Sequence, residues 1–375
     1  MMKGIEALST WTLHCMAAAP EQWTAQAWLT CLRPVARVYG AAMSLRTALF
    51  TNGLARTRRL PVPVLSVGNV SVGGSGKTPF VEMLAGRLRE RGQRVVIILR
   101  GYRGGSTKPT IVSDGRNVRC EPPIAADEAY LLARHLPGVA ILTGADRYRV
   151  GKVALEQVDC DVIILDDGFQ HLRLHRDLDI VLVDAGNPLG YGRLLPSGLL
   201  RERPEALSRA DIVVITHADA GRDQDSAIQA IRRYAPIVPI ALAVHRPISL
   251  IDVRSGERLG LERLTGRRLL AVSGIANPDR FEATLVQLGA FVSAHHRFSD
   301  HHRYVPVDLE IINRAAKHVG ASMVVTTEKD MVKLTALDVT TMGVPLYALS
   351  ISLELTEGVE VLDSMVSRLV KPSAS

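Results

Sequence analysis

Cysteine is scarce in this sequence: Cys15, Cys31, Cys120 and Cys160 are scattered through 375 residues and form no CxxC pair. That scatter speaks against a disulfide framework or a cysteine zinc site and fits a reducing compartment. Aromatic residues are also few, at 5%, with neither a zinc-finger spacing nor an aromatic RNA-binding motif. Nucleic acid is therefore not the expected partner. No apolar, charge-free run reaches the roughly 18 residues that a membrane-spanning helix needs. Long low-complexity tracts and short-period repeats are missing too, which argues against wholesale disorder and against a solenoid.

What is present is a large apolar fraction, 47%, with 22% charged residues. A chain of this length and composition has enough material for two domains. Its formal net charge is +7 and its pI about 9.4, which suits an anionic partner such as a phosphorylated substrate or an anionic membrane face. Residues 1–22 read as an N-terminal extension. Glu6 and His14 break its apolar stretch, against a signal peptide.

From Trp23 to Phe50 the spacing predicts a helix, with Val35, Val38, Ala42, Leu45 and Leu49 on one apolar face and Pro34 at a start or kink. Its charges are nearly all basic, including Arg33, Arg37 and Arg46. Such a helix either packs on a core or lies in a membrane interface. Beyond Pro63, short apolar strands alternate with helical stretches: Val64–Val67, Val95–Leu99, Val139–Leu142, Asp161–Leu165, Asp179–Val183 and Asp211–Thr216. This alternation predicts an α/β fold with a parallel sheet covered on both faces. A ribbon with a tight turn at Ser255-Gly256 is expected over 241–262, then a second α/β unit over 263–375. Its last strand, from Tyr347 to Leu355, alternates between two faces.

The strongest motif is Gly68-Asn69-Val70-Ser71-Val72-Gly73-Gly74-Ser75-Gly76-Lys77-Thr78, with a strand before it and a helix after it. That is the context of a P-loop. Backbone N–H groups of Gly73, Gly74, Ser75 and Gly76 would close around phosphate oxygens. Lys77 would reach the β- and γ-phosphates, and Thr78 would offer its hydroxyl to magnesium. Ser71 stands where the strict motif has glycine.

Asp161 to Leu165 ends in Asp166 and Asp167, acids at the carboxyl end of a buried strand, where ligand sites of open α/β sheets lie. If the strand continued, the two would face opposite ways. Asp127-Glu128 opens a predicted helix, as a capping feature or as a carboxylate base. The run His295 to Tyr304 is dense in titratable groups, and Thr326-Thr327-Glu328-Lys329-Asp330 is either a polar strand end or a capped helix start.

Taken in order, these segments resemble the tetraacyldisaccharide 4′-kinase family of lipid A biosynthesis. The resemblance rests on the phosphate loop, Arg100-Gly101-Tyr102, Asp127-Glu128, Asp166-Asp167-Gly168-Phe169-Gln170-His171, Leu195 to Glu202, Phe298-Ser299-Asp300-His301 and Thr326 to Asp330. It implies two α/β/α domains joined by a two-stranded linker, and transfer of the ATP γ-phosphate to the 4′-hydroxyl of a tetraacyldisaccharide 1-phosphate. It also implies a peripheral enzyme at the cytoplasmic face of the bacterial inner membrane, with the acylated lipid and the anionic surface as partners and no obligate protein partner. Asp127 and His301 match the catalytic pair, with Lys77 on the phosphates. Thr78, Asp167 and Glu202 match the magnesium side, and Tyr102, Asp166, His171 and Arg201 are candidates for substrate contact. Two other classes compete: a P-loop kinase or ATPase acting on another small anionic acceptor, and a guanine-nucleotide switch. The second lacks its Asn-Lys-x-Asp stretch, since Thr216-His217-Ala218-Asp219 stands in that place.

Overall fold

The computed structural model describes residues 12, 15–16, 23–101, 108–122, 124–219, 224–300 and 302–370. The first half contains α1 (Trp23–Thr51), β1 (Val64–Asn69), α2 (Lys77–Glu90), β2 (Val95–Leu99), β3 (Thr110–Asp114), α3 (Asp127–His135), β4 (Ala140–Thr143), α4 (Arg147–Gln157), β5 (Val162–Asp166), β6 (Leu178–Asp184), β7 (Ile212–Thr216) and α5 (Gln224–Arg232). Next come the long β8 (Ile240–Asp252) and the short β9 (Arg258–Leu259). The second half contains β10 (Arg268–Ser273), α6 (Pro278–Gln287), β11 (Phe291–Arg297), α7 (Pro306–His318), β12 (Met323–Thr327), α8 (Glu328–Leu334), β13 (Leu346–Glu357) and α9 (Val359–Leu369).

Strands such as Val95–Leu99 and Ile212–Thr216 are buried along their whole length. Continuous runs of Val, Ile and Leu suit a parallel sheet with helices on both faces, where no side of the strand meets water. β1 lies between β5 and β6, both parallel to it. One sheet runs through the molecule in the order β11-β10-β12-β13-β8-β7-β6-β1-β5-β2-β4-β3, with β9 beside β8. The two largely parallel halves, the first with an antiparallel edge strand β3, meet at the antiparallel pair β8/β13, whose register runs from Asp252 opposite Tyr347 to Leu242 opposite Glu357. Pro247 sits in β8 next to a register shift at Ser350/Ile351, a bulge being where a strand tolerates proline. The local turn expected at Ser255-Gly256 is present and brings back β9, but β9 is two residues long. The main partner of β8 is the alternating C-terminal segment.

Chain order and packing diverge at the C-terminus. α9 falls in the stretch expected to close the second unit, yet Leu362 and Val366 bury into the core that surrounds β1 and α2. Asp363 also pairs with Arg87 and Arg91 of α2 at 3.4 and 3.0 Å. Strands β3 and β11 and helices α4, α5 and α9 carry no motif strong enough to have been placed from sequence. In β11, His295 and His296 of the titratable run prove to be strand residues.

Helix α1 departs from the amphipathic pattern in an informative way. Its apolar face does not pack: Val35, Val38, Ala42, Leu45 and Leu49 are all exposed, while Ala25, Leu29, Ala36 and Gly40 are buried. Gly40 lets α1 approach closely, since a Cβ there would lie 2.5 Å from Leu194 Cδ1 and that side chain would have to turn aside. Tyr39 anchors the same side, its hydroxyl donating to the carbonyl of Arg201 at 2.9 Å.

The tightest approach in the sheet is at Gly68 of β1, where a Cβ would fall 2.5 Å from Phe169 Cβ and 2.8 Å from its backbone nitrogen. Phe169 is wholly buried and has nowhere to go. Gly68→Ala is therefore expected to lower stability by about 1–3 kcal/mol, read as a fall in Tm. An unchanged Tm would show that the loop after β5 yields freely.

Candidate active site

The P-loop turn leaves β1 and enters α2 through Gly76, whose φ of 74° is left-handed and which no side chain caps. The first-turn N–H groups of α2 thus stay available to an anion. Gly76 is doubly constrained, since a Cβ there would lie 2.8 Å from the His245 ring. The loop is braced from below: Asn69 Nδ2 donates to Ser75 Oγ at 3.0 Å and Thr216 Oγ1 to the carbonyl of Ser75 at 3.1 Å. Ser71 also finds its explanation. It forms an antiparallel bridge with Leu200, and Val72 N donates to Leu199 O at 2.7 Å. The loop entry is extended backbone there, so glycine has no advantage.

Beside this loop lies a cleft of about 1910 Å³, lined by Gly73 to Thr78, Asp127, Glu128, Asp166, Asp167, His171 and Arg201. The expected nucleotide-binding residues are therefore in one place with most of the expected acids. Tyr102 and His301 lie outside the described residues. Glu202 is not on the cleft wall; it is 4% exposed, and its carboxylate is taken by Arg209 Nη2 at 2.8 Å and Gln170 Nε2 at 3.0 Å. It reaches the lining only through Gln170.

Asp166 and Asp167 do not face opposite ways, because β5 ends at Asp166 and Asp167 turns to a φ of 56°. Both side chains border the cleft. Asp167 lies 3.7 Å from Lys77 Nζ and 2.7 Å from Arg201 Nη1. Burial opposes its charge, but Lys77 and Arg201 outweigh burial and hold its pKa below the usual carboxylate range. Burial also lowers the Lys77 pKa, with Asp167 opposing. Asp166 behaves differently. Burial, with Glu128 adding to it, pushes its pKa up to about 7, and its Oδ1 has no hydrogen-bond partner. His171 is pushed down to about 4 by burial and then by Arg147. A carboxyl with an unpaired oxygen that lines the same cleft as Thr78 offers hard oxygens of the kind magnesium takes.

Behind the phosphate loop stand residues with no sequence signal strong enough to single them out. Asp184, at the end of β6, receives Arg280 of α6 at 2.8 and 3.1 Å. It also lies 3.2 Å from His217 Nδ1. Burial opposes its charge, but His217 and Arg280 hold its pKa far below the carboxylate range. His217 stacks on His245 at 4.0 Å, and burial brings His245 down to about 3, so a neutral ring backs the phosphate loop. The position of His217 just beyond β7 was the available signal, because polar residues past strand ends line sites in such sheets.

A seam of opposite charges joins the halves across the cleft. Lys329 lies 3.3 Å from Glu128, Lys333 lies 3.7 Å from Asp127, and His135 bridges Glu82 at 3.1 Å and Glu328 at 3.3 Å. Thr326 to Asp330 is both things the sequence allowed: β12 ends at Thr327, which then caps α8 by accepting from Asp330 N. A separate chain, Ser273 Oγ–His295–Glu282, has bonds of 2.8 and 2.9 Å. Its serine is fully buried, so it ties β11 to α6 and cannot meet a substrate.

A glycine turn on a helix N-terminus, a lysine facing strand-end acids and a parallel sheet define a P-loop nucleotide-binding protein. The family profile for tetraacyldisaccharide-1-P 4′-kinase (LpxK) matches residues 28–370. A tetraacyldisaccharide 4′-kinase of Anaeromyxobacter dehalogenans is 42% identical over 330 residues, 88% of this chain and 87% of that one. One from Geobacter metallireducens is 45% identical over 298 residues, 79% of this chain and 86% of that one. The crystal structure of LpxK from Aquifex aeolicus in complex with ATP superposes with a TM-score of 0.74 at 33% identity, covering 92% of this chain and 100% of that one. The chain belongs to the tetraacyldisaccharide-1-P 4′-kinase family.

The seam carries a pH dependence. Burial opposes the charge of His135, but Glu328 and Glu82 outweigh burial and lift it to about 9. Its folded pKa exceeds the unfolded value near 6.5, so its contribution is complete below about pH 6.5 and is lost as pH rises through about 9. The contribution is on the order of a few kcal/mol. Thermal denaturation should show wild type losing more stability between pH 7 and 9.5 than His135→Gln does. Parallel curves would overturn the assignment.

Proposed function

We propose that this protein transfers the γ-phosphate of ATP to the 4′-hydroxyl of a tetraacyldisaccharide 1-phosphate, giving the bis-phosphorylated lipid A precursor. The observation that carries the reading is the apposition, in one cleft, of the loop bearing Lys77 and Thr78 with the acids Asp127 and Glu128, in a chain of this family. Near full-length likeness to proteins named tetraacyldisaccharide 4′-kinase favours this acceptor over another small anionic one.

Phosphoryl transfer needs in-line placement and charge neutralisation more than covalent chemistry. The backbone from Gly73 to Gly76 cradles the phosphates, and Lys77 lies over them. Asp127 accepts the proton of the attacking hydroxyl, with His301 as its expected partner. Thr78 and Asp167, joined by the unpaired oxygen of Asp166, would hold magnesium, which when bound neutralises charge on the β- and γ-phosphates. Glu202 acts from behind, by fixing Gln170. Arg201 fixes Asp167 and, with His171, faces the acceptor side.

The acyl chains of such a substrate stay in a bilayer, so the enzyme works at its surface. The unpacked apolar face of α1, with Arg33 and Arg37 exposed beside it, supports a peripheral seat on an anionic membrane, at the cytoplasmic face of the inner membrane.

Labelled γ-phosphate should pass to tetraacyldisaccharide 1-phosphate in detergent micelles, and Lys77→Ala or Asp127→Ala should reduce this by at least about a hundredfold. ATP hydrolysis without lipid labelling would reject the acceptor, and wild-type transfer by Asp127→Ala would reject the base. Replacing Val35, Val38 and Leu45 together with serine should release the protein from anionic vesicles in sedimentation. Undiminished sedimentation would remove α1 from the membrane contact.

A further inference from the structure

We propose that Lys333 is a positioning residue for the transfer step, supplied by the second half of the sheet to orient Asp127; this rests on Asp127 being the base. Lys333 lies in the last turns of α8, its side chain 9% exposed, and it borders the cleft. Its ammonium has no hydrogen-bond partner among the described residues. A buried ammonium left in that state is unfavourable unless charges of opposite sign surround it. Two do: Asp127 Oδ2 at 3.7 Å and Asp330 Oδ1 at 3.7 Å.

The two carboxylates differ in freedom. Asp330 is fully buried and rigidly held, its Oδ2 accepting from Gly274 N at 2.9 Å and Thr327 Oγ1 at 2.7 Å. Its other oxygen faces Lys333 and so sets where the ammonium lies. Asp127 is half open to the cleft and stands at the first residue of α3, where the preceding Ala126 provides no side-chain cap. Lys333 is its ion-pair partner among the described residues. The orientation of Asp127 is thus transmitted from a fixed acid in one half, through a lysine, to a less constrained acid in the other. Lys329, four residues earlier, does the same for Glu128 at 3.3 Å while also meeting Asp300 at 3.8 Å. It belongs to the outer edge of the seam, with a more exposed side chain than Lys333.

The arrangement makes catalysis depend on the two halves being apposed. A base displaced by about 1 Å costs on the order of a hundredfold in rate, whereas the phosphate loop, which Lys333 does not touch, keeps its grip on nucleotide. The test is steady-state transfer by the full-length enzyme bearing Lys333→Met, which keeps the length of the stem and removes the charge. The kcat for lipid phosphorylation should fall about a hundredfold, with KM for MgATP within about twofold of wild type. Lys333→Arg should recover most of the loss. In an Asp127→Asn background, Lys333→Met should cost little more, because contacting residues that act as a unit are non-additive. If Lys333→Met fails to fold by circular dichroism, Lys333→Gln takes its place in the same cycle. A wild-type kcat, or a loss that multiplies fully with that of Asp127→Asn, would overturn the role of Lys333 and leave the base intact. Wild-type transfer by Asp127→Asn alone would instead remove the base, and with it this role.

Discussion

Lys77 is buried against two aspartates at the end of a neighbouring strand, and most of the surrounding architecture follows from keeping that charge group satisfied without water. An ammonium in such a place loses hydration worth several kcal/mol, and Asp167 at 3.7 Å returns part of it. Asp167 must then leave the strand direction, which its left-handed backbone achieves, and Arg201 must come in behind it. Arg201 in turn comes from the segment that Tyr39 of α1 grips through its carbonyl. The helix that meets the membrane in our reading and the group that meets phosphate are therefore three contacts apart in the same network, through Arg201 and Asp167. Asp166 keeps one oxygen without a hydrogen-bond partner, and burial favours its protonated form; a hard cation beside it would favour the charged form instead.

The second constraint is geometric. The halves share a sheet through β8 and β13, so neither slides freely past the other; relative motion is a twist or bend of one long ribbon. Across the cleft they touch through charges: the seam of α3 with α8, and Arg280 on Asp184. Charge pairs need no interdigitated apolar surface, so such a contact holds register without fusing the halves into one core. That combination suits a cleft that has to admit a nucleotide and then exclude water.

Legibility from sequence divided along physical lines. The phosphate loop, the buried strands and the acid-tipped β5 were readable because each is local: periodicity, glycine placement and strand-end polarity lie within a dozen residues. The ribbon was half readable, since the turn after β8 was visible but its true partner lies about a hundred residues on. Asp167 and Glu202 show the limit. Which way Asp167 faces depends on a backbone turn, and the engagement of Glu202 with Arg209 and Gln170 on contacts that no spacing encodes. Lys333, Arg280 and His245 acquire their meaning only when distant strands bring them together. α1 was ambiguous by pattern alone, because an apolar stripe looks the same whether it faces a core or a bilayer.

The return of α9 to the first half bears on how the protein is made. Leu362 and Val366 complete the same core as Leu65 and Phe80, so the support beneath the phosphate loop closes only after Val359–Leu369 has left the ribosome. Until then the ribosome-bound chain presents β1 and α2 with an uncovered apolar flank, while the segment from β10 to β12 already has its own helices to bury against. A chain truncated before residue 359 would leave that core uncovered, a state open to chaperones and proteases.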